Sequence, residues 1–483
     1  MKKFVQFRLV FLFLMLLGMS RMGFADTYVY LQNNTPFAFD VQINRPNGLA
    51  LPTQYWKGGA ARVEPGQRAR LYQTNRDSGV KSGKYYEFHC QLRSPDGSTF
   101  SLNQRLKGTA FFSDLWQSVD GDPWYSDRNT HNRGWNAGPK QFNIKYRAYF
   151  TGGADDIEYI VQYKYPVANS SDRMLNVLSY NTYMRPTTLF INGQSIRRQK
   201  MMPELTGSGY DVILFSEMFD DDIRNQTINS LRGEFPYHTN VVGRDSGVNQ
   251  DGGVILFSRW PIATQDQRTF GDACSGSDCM ADKGVIYAAI SKGNQTYHVF
   301  GTHTQADKGA ADRAARRRQM QIMKAFIDSK NIPRTQPVLI AGDLNVDMTR
   351  SQAEYVDMLN ILHATHPGRT PGISLSATWD PTINKCADSG TPEFLDYVLY
   401  SNDHLRPTVS LNEVRLLRAA EEWKALPTDK ARWDLSDHFA VFGNFTMPRP
   451  VIHLPGVPGV EIPTLQLPPG VRTNPAIIKR KQP

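Results

Sequence analysis

The distribution of apolar runs constrains the fold of this chain more than any other feature. Between residues 173 and 446, short apolar runs such as 212–215 and 337–341 alternate with helix-like stretches. Uninterrupted apolar runs are typical of strands that are buried on both faces. The clearest predicted helix covers residues 311–328, where apolar and charged side chains fall on opposite sides. The pattern predicts an α/β domain in which two core sheets are flanked by helices.

Residues 26–168 carry a different pattern. Their apolar and polar residues alternate over short segments, and turn-forming stretches such as 46–48 and 95–97 separate these segments. No helical period is found among them. This pattern predicts an all-β domain, either a sandwich or a barrel, that precedes the α/β domain. Residues 170–172 are the predicted linker between the two domains.

Both ends of the chain differ from its centre in residue composition. Lys2, Lys3 and Arg8 precede an apolar stretch over residues 10–19, and small residues follow up to Ala25. This arrangement is typical of a secretory signal cleaved after residue 25, and we expect the protein to be secreted and extracellular. At the other end, residues 447–483 are rich in proline and are predicted to form an extended appendage.

The charge balance bears on the partners. The chain has 55 Lys and Arg residues against 46 Asp and Glu residues, a formal net charge of +9, and this falls to +5 once the four basic residues of the 1–25 segment are removed. A mildly basic surface suits anionic surfaces but lacks the strong positive charge that nucleic-acid binding requires. Nucleic acid is therefore not expected as a partner. The sequence leaves the oligomeric state open.

Four cysteines remain after the signal segment, at positions 90, 274, 279 and 386. An exported protein can form disulfides, and four cysteines allow three pairings that a sequence alone does not distinguish. Cys274 and Cys279 flank a Gly/Ser-rich segment, which favours a local disulfide between them. No CxxC pattern is present, which argues against a zinc site.

Polar side chains stand where several predicted strands end or begin. In a layered α/β fold, strand ends converge on one crevice, so we expect these side chains to meet there. Each of them alone could be a turn or surface residue. Their repeated occurrence at strand ends predicts a single site, and its candidate residues are Asn181, Glu217, His303, Asp343, Asn345, Asp396, Asp437 and His438.

The residue types indicate metal-assisted chemistry. Glu217, Asn181 and Asp437 offer hard oxygen ligands of the kind that Mg²⁺ prefers, although Mn²⁺ and Co²⁺ remain open. His438 is a candidate general base, and Asp396 could fix its tautomer and raise its basicity.

The remaining candidates suit a phosphoryl group. His303 and Asn345 could donate hydrogen bonds to a phosphoryl oxygen, and Asp343 could orient the attacking water. The predicted reaction is Mg²⁺-assisted hydrolysis of a phosphoester by water without a covalent intermediate. No GxSxG elbow and no P-loop lysine motif is present, which disfavours acyl hydrolases and P-loop NTPases.

These residues lie in motifs that resemble those of the endonuclease/exonuclease/phosphatase superfamily, which has the DNase I-like fold. The similarity covers residues 173–446 and is nearest to the secreted bacterial neutral sphingomyelinases. The resemblance implies a four-layer α/β/β/α sandwich. The motifs that carry it are LSYNTY (178–183), DVILFSEMFD (211–220), GGVILFSRWPI (252–262), GTHTQA (301–306), AGDLNVD (341–347), ATWDP (377–381), EFLDYVLYS (393–401) and LSDHFAV (435–441).

The resemblance also implies roles for individual residues. It makes Glu217 the main Mg²⁺ carboxylate, with Asn181 and Asp437 as its companions. It makes His438 the base that Asp396 supports, His303 and Asn345 the phosphate-binding donors, and Asp343 the residue that orients water or the leaving group. Asp380 matches a further active-site acid. The implied substrate is sphingomyelin in a host membrane, to which the enzyme binds peripherally, and the products are ceramide and phosphocholine.

Three alternatives stay open. The same scaffold could carry a secreted nuclease or an inositol-phosphate phosphatase, or the β domain could dominate in a membrane-binding toxin. Some members of the resembled family lyse red cells, and some insert a hydrophobic hairpin that precedes the last motif. Trp423, Leu426 and Trp433 occupy that region here. They either contact the membrane or pack in the core.

Overall fold

The structure is a computed structural model that describes residues 26–45, 51, 53–76, 78–110, 113–167, 171–245, 250–370 and 372–449. The predicted signal segment 1–25, residue 170 of the predicted linker and nearly all of the proline-rich tail lie outside the described residues. Among the described helices, none combines the length and the apolar character needed to cross a bilayer. The described residues up to Met447 belong to one compact unit.

Residues 26–164 form a β-sandwich. One sheet has the strand order β3-β5-β1-β11-β10-β9 and the other has the order β4-β2-β6-β7-β8. The strands are β1 (Asp26–Asn34), β2 (Phe39–Asn44), β3 (Trp56–Gly58), β4 (Arg62–Val63), β5 (Arg68–Asn75), β6 (Tyr85–Arg93), β7 (Thr99–Gly108), β8 (Ser113–Val119), β9 (His131–Ala137), β10 (Lys140–Phe150) and β11 (Asp155–Lys164).

Alternation along the strands explains the sandwich. In β10 every second residue from Phe142 to Ala148 is buried, and the residues between them face outward. The buried set packs with Tyr72 and Phe88 in a core rich in aromatic side chains. The prediction of an all-β N-terminal region is confirmed.

The α/β region contains two larger sheets, which we call sheet I and sheet II. Sheet I has the order β14-β16-β13-β12-β28-β25-β23, and sheet II has the order β17-β19-β20-β21-β24-β22. Two small ribbons pair β15 with β18 and β26 with β27. The strands are β12 (Met174–Met184), β13 (Val212–Met218), β14 (Tyr237–His238), β15 (Gln250–Asp251), β16 (Ile255–Ser258), β17 (Ile262–Thr269), β18 (Ala281–Asp282), β19 (Gly284–Lys292), β20 (Gln295–His303), β21 (Val338–Asp343), β22 (Ala364–Thr365), β23 (Gly368–Arg369), β24 (Asp396–Ser401), β25 (Val409–Arg415), β26 (Arg418–Trp423), β27 (Arg432–Asp434) and β28 (Ala440–Thr446).

Four described helices cover the outer faces of these sheets. On sheet I, Leu178 and Ile213 share a buried cluster with Met201 of the first helix. On sheet II, Phe300 packs edge-on against Phe326 of the third helix, with ring centroids 6.0 Å apart. The helices are α1 (Gln194–Leu205), α2 (Asp221–Leu231), α3 (Ala310–Ser329) and α4 (Gln352–Leu362).

The two sheets pack face to face. Val177 and Leu214 of sheet I share one buried cluster with Val299 and Ile340 of sheet II. This explains why the strands read as uninterrupted apolar runs, since each strand packs against the other sheet on one face and against helices on the other. The four-layer α/β/β/α architecture is confirmed, and the helix predicted at 311–328 is α3.

A buried arginine joins the β-sandwich to the α/β layers. Arg418 of β26 is 3% exposed. Its guanidinium donates hydrogen bonds to the Asn34 side-chain oxygen at 3.1 Å and the Gly66 carbonyl at 2.7 Å, and it pairs with Asp434 at 2.7 Å. Asn34 and Gly66 belong to the sandwich, so the Arg418 guanidinium connects the two regions.

The two tryptophans before the last motif are buried, whereas Leu426 between them is 46% exposed. Trp423 is 4% exposed and Trp433 is 6% exposed. The Trp423 indole N–H donates to the Asp434 carbonyl, and Lys145 on the outer face of β10 donates to the carbonyl of Ala420 in β26. Of the two predicted roles for these tryptophans, membrane contact is therefore wrong, because core packing already buries both rings.

Candidate active site

The strand topology brings the predicted site residues together. In sheet I, β12 and β13 run parallel, so Asn181 and Glu217 stand near the same strand end. In sheet II, His303 and Asp343 are register neighbours at the ends of parallel β20 and β21. Asp396 opens the antiparallel strand β24 opposite Asp343. These strand ends lie together at one end of the two packed sheets, and a cavity of about 780 Å³ opens there.

Asp343 is the point where the two sheets connect. The Asn181 amide donates one hydrogen bond to Asp343 Oδ2 and another to Glu217 Oε1, both at 3.0 Å. The same Asp343 oxygen lies 3.7 Å from His303 Nε2 and 3.9 Å from His438 Nε2. One carboxylate oxygen therefore faces both histidines and the amide that orients Glu217.

His438 and Asp396 form a buried pair. His438 Nδ1 lies 2.8 Å from Asp396 Oδ2, which directs Nε2 toward the cavity. Burial alone lowers the pKa of His438, but the charges of Asp396, Asp343 and Asp437 more than offset this and hold the pKa well above its ordinary value. Asp396 is itself fixed, because the Thr378 hydroxyl accepts hydrogen bonds from the backbone N–H groups of Leu395 and Asp396.

The carboxylates in the cavity repel one another. Burial, and then the neighbouring charge of Asp437, raise the pKa of Glu217 to about 7. Burial likewise raises the pKa of Asp437. Side chains that are hard to ionise in the absence of a cation are expected where a cation normally balances them.

His303 differs from His438 in its surroundings. Burial, with the neighbouring Lys283 ammonium as a second cause, lowers the pKa of His303 to about 3, so the ring is neutral at ordinary pH. Lys283 is 6% exposed and its Nζ lies 3.4 Å from His303 Nε2. The same ammonium pairs with Asp278 at 2.6 Å and donates to the Thr304 carbonyl at 2.9 Å.

Two of the site residues adopt left-handed backbone conformations. Asn345 has φ 50°, which asparagine tolerates, and its amide donates to the Thr304 carbonyl at 3.2 Å. Glu217 has φ 53°, which is uncommon for a residue of this type. Strained conformations of this kind concentrate at functional sites, and here the strain accompanies a carboxylate that faces the cavity.

Asp380 is the one predicted site residue that the structure places apart from the others. Its carboxylate accepts hydrogen bonds from the backbone N–H and the hydroxyl of Thr382, as in a turn. It does not line the cavity, and unlike Asn181 and Asp396, which do not line it either, it makes no described hydrogen bond to a residue that does.

Several residues around the site support it without having been given a role in the sequence analysis. The Ser436 hydroxyl donates to the Asn181 carbonyl at 2.6 Å and accepts from the His438 N–H. Arg197 is fully buried and donates to carbonyls of Thr182 and Leu435, on either side of the site. The burial of Lys283 and Arg197 could not have been predicted, because a sequence does not show which cations are buried.

The predicted local disulfide is present. Cys274 and Cys279 are bonded across a short turn, Gly276–Met280, that lines a groove together with Glu217 and His303. The favoured pairing is confirmed. Cys90 and Cys386 are free thiols.

Comparison with known proteins assigns this arrangement to a family. The sequence profile of the Endonuclease/Exonuclease/phosphatase family matches residues 178–438, which include every predicted site position from Asn181 to His438. The chain belongs to the endonuclease/exonuclease/phosphatase family. The match spans the α/β layers and leaves the β-sandwich outside it.

Several of the similar proteins in the endonuclease/exonuclease/phosphatase family are bacterial sphingomyelinases. A sphingomyelinase C from Bacillus cereus is 32% identical over 308 residues, which cover 58% of this chain and 91% of that protein. The solved structure of sphingomyelinase C from Streptomyces griseocarneus has a TM-score of 0.52 at 32% identity and covers 56% of this chain and 99% of that one. A beta toxin variant from Staphylococcus aureus, solved with bound magnesium ions, gives the same four values.

The donor set of this chain fits a divalent cation. Glu217, Asp343 and Asp437 place carboxylate oxygens around one cavity, and the Asn181 amide links two of them. Burial and the charge of Asp437 raise the pKa of Glu217, and a divalent cation held by these groups would favour its ionised form. Asp343, Asp396 and His438 also offer ligand atoms within 4.8 Å of one another, but the Asp396–His438 hydrogen bond occupies one atom of each.

Proposed function

We propose that the chain is an exported, Mg²⁺-dependent phosphodiesterase that hydrolyses sphingomyelin to ceramide and phosphocholine. The single observation that carries the proposal is the buried His438–Asp396 pair, whose free imidazole nitrogen faces the carboxylate cluster across one cavity. The similar proteins named sphingomyelinase C support the choice of substrate.

Glu217 is the main candidate ligand of the cation, with Asn181 and Asp437 completing the protein's share. Magnesium usually takes only one or two carboxylates and keeps several waters, which agrees with this small donor set. When bound, Mg²⁺ supplies positive charge that polarises a phosphoryl oxygen and offsets the negative charge that faces His438.

A bound cation would offset the negative charges that hold the pKa of His438 high, which would favour the neutral imidazole. In the neutral ring Asp396 holds Nδ1–H, so the unprotonated Nε2 faces the cavity and takes the proton from the attacking water, and Asp396 stabilises the imidazolium that forms. The water oxygen forms a bond to phosphorus while the bond from phosphorus to the ceramide oxygen breaks. The ceramide oxygen gains a proton from solvent, and His438 returns the proton that it took to solvent, so that the products are ceramide and phosphocholine and the base is regenerated.

Neutral donors stabilise the phosphoryl group. His303 is uncharged, so it binds a phosphoryl oxygen through one N–H and adds no competing charge. Asn345 keeps a second amide hydrogen available after its bond to the Thr304 carbonyl. Asp343, which lies between both histidines, is placed to orient the water or the leaving group.

A substrate panel tests the proposal. Purified chain without residues 1–25 is assayed with Mg²⁺ and with EDTA against sphingomyelin, phosphatidylcholine, DNA and phosphoinositides. We expect phosphocholine release from sphingomyelin only with the metal. Preferred cleavage of DNA or of phosphoinositides would support the nuclease or phosphatase alternative instead, and unchanged turnover in EDTA would contradict the metal dependence.

Matched histidine variants test the base. His438→Asn should lower kcat for sphingomyelin by about 10²- to 10⁴-fold. His363→Asn is the control, because His363 pairs with Asp403 at the surface and asparagine tolerates the φ of 45° at that position. Equal activities of the two variants would exclude His438 as the base.

Red-cell lysis separates the enzyme from the toxin alternative. We expect lysis by the wild-type chain to disappear in Glu217→Gln, because the carboxylate that holds the cation is removed. Lysis that survives this substitution would favour a membrane-binding toxin in which the β-sandwich acts without hydrolysis.

A further inference from the structure

In the part of the chain that the structure describes, the most exposed large apolar side chains lie on two segments that border the active site. Among the described residues, the three large apolar side chains with the greatest exposure are Ile191 at 75%, Leu189 at 74% and Met280 at 60%. Single exposed apolar residues are common on protein surfaces, but a group of them at one place indicates a binding surface. We call these three side chains the apolar rim.

The apolar rim is continuous with the catalytic residues. Leu189 and Met280 line a groove of about 370 Å³ that also contains Glu217 and His303. Glu217 and His303 belong as well to the 780 Å³ cavity, so the groove and the cavity open into each other. A molecule that covers the rim therefore lies directly over the reacting groups.

The loop that carries Leu189 and Ile191 is held firmly. Thr187 donates both its backbone N–H and its hydroxyl to Asp220 Oδ2, at 2.8 and 2.7 Å. The Gln194 amide donates to the carbonyls of Arg185 and Phe190, at 3.0 and 2.9 Å. These bonds hold two apolar side chains in water, a placement that costs free energy unless something covers them.

The turn that carries Met280 is fixed from the opposite side. The Cys274–Cys279 disulfide closes the turn, and Asp278 accepts a hydrogen bond from the Ala306 N–H at 2.7 Å. Two separate segments, each anchored by its own bonds, thus present apolar side chains at the same opening. Rigid presentation lowers the entropy cost of binding.

We propose that the apolar rim is the surface with which the protein rests on a bilayer of choline phospholipids. The inference rests on the proposed function, which requires a lipid headgroup to enter this cavity. Side chains of this kind bury themselves at the boundary between headgroups and acyl chains, which would hold the headgroup beside Glu217 and His303. The half-buried Arg185, whose guanidinium stacks 3.4 Å from the Phe190 ring centroid, adds a positive charge on the same loop for lipid phosphates.

The two tryptophans before the last motif do not take this role. Both rings are buried, that of Trp423 against the start of α1, so they are unavailable to a membrane. Leu426 between them is 46% exposed, less than any side chain of the apolar rim. The bilayer contact is therefore assigned to the loop after β12 and to the disulfide-closed turn.

A triple variant with a matched control tests the surface. Leu189→Ser, Ile191→Ser and Met280→Ser are combined in the chain without residues 1–25. The control combines Phe150→Ser, Val409→Ser and Leu411→Ser, which are exposed apolar residues away from the cavity. Binding is measured by co-sedimentation with vesicles of equal parts sphingomyelin and phosphatidylcholine in EDTA. We expect the rim variant to lose at least about tenfold in partitioning and the control to lose less than about twofold.

A second measurement separates this proposal from the proposed function. Turnover is compared on the same vesicles and on a water-soluble short-chain sphingomyelin, both with Mg²⁺. We expect the ratio of the two rates to fall at least about tenfold in the rim variant. A wild-type chain that hydrolyses both substrates, with an unchanged ratio and unchanged sedimentation in the rim variant, would overturn the surface and leave the function standing. Loss of vesicle binding in the rim variant of a chain that cleaves neither substrate would leave the surface standing and overturn the function.

Discussion

At the scale of single residues, the site depends on how one carboxylate orients one imidazole. Asp396 is fully buried at the start of β24 and holds His438 Nδ1 at 2.8 Å. Its position is set by the Thr378 hydroxyl, which accepts from two consecutive backbone N–H groups. The tautomer of His438 is therefore determined by its hydrogen bond with Asp396, a residue of sheet II.

Replacement of Asp396 by asparagine should lower the activity and leave the fold intact. A side-chain amide at this position that donates to Nδ1 would leave the imidazole proton on Nε2, where it blocks acceptance of a proton from water. We expect Asp396→Asn to lower kcat by about 10²- to 10⁴-fold with little change in Tm. Asp403→Asn, which alters the surface partner of His363, is the control. A loss below about tenfold would contradict the assigned orientation.

At the scale of elements, α1 holds the site together through one side chain. Arg197 is fully buried, and its guanidinium donates to the carbonyl groups of Asn192, Thr182, Tyr183 and Leu435. These carbonyls belong to the end of β12, the loop after it and the segment before His438. The strand ends that carry Asn181 and His438 are therefore fixed relative to each other from behind.

Removal of this arginine should destabilise the fold more than removal of its neighbour. Arg197→Met leaves several buried carbonyls without donors, and we expect the free energy of unfolding to fall by about 3 kcal/mol. Arg198→Met changes the same residue type at a half-buried position on the same helix and should stay within about 1 kcal/mol of wild type. Denaturant titration followed by circular dichroism measures both, and equal losses would contradict this role for Arg197.

At the scale of the whole molecule, the β-sandwich and the α/β layers share buried charge. Arg418 pairs with Asp434 while it also reaches carbonyl and amide oxygens of the sandwich. A buried ion pair becomes costly when only one partner is left. Removal of either Arg418 or Asp434 alone would therefore leave the other charge buried without a partner.

A double substitution tests that linkage. We expect Arg418→Met to lower the free energy of unfolding by about 3–5 kcal/mol, because the Asp434 charge is left buried without its partner. Adding Asp434→Asn removes that charge, so the double variant should be more stable than the single one. Thermal unfolding of both variants decides this, and a double variant less stable than Arg418→Met would contradict it.

The reactivity of the two free thiols, Cys90 and Cys386, tests whether the folded chain shields them. Burial raises the pKa of the Cys386 thiol to about 12 and raises the pKa of Cys90 as well, so both should stay protonated at about pH 8. We expect iodoacetamide to add no group to the native chain. In guanidinium it should add two groups, because four cysteines include one disulfide, and four groups after reduction. Mass spectrometry counts them, and native labelling would contradict the burial.

Part of the site could be predicted because its residues mark strand ends. Glu217, His303 and Asp343 directly follow apolar runs, so their convergence follows from the geometry of parallel strands. Asp380 shows the limit of this reasoning. It lies within a matching motif, but its carboxylate is engaged by the local turn, and only the packed loop could show that.

The order of apolar runs and turn residues was enough to determine the two sheet types, the long helix over 310–329 and most of the polar residues that meet at the cavity, because these depend on local periodicity and on residue type. Tertiary structure alone decided which cations are buried, which tautomer His438 adopts and which apolar side chains remain in water. Burial and hydrogen bonding of this kind depend on residues far apart in the chain. Trp423 and Leu189 look equally apolar in sequence, yet packing against distant segments buries the first and leaves the second at the mouth of the cavity.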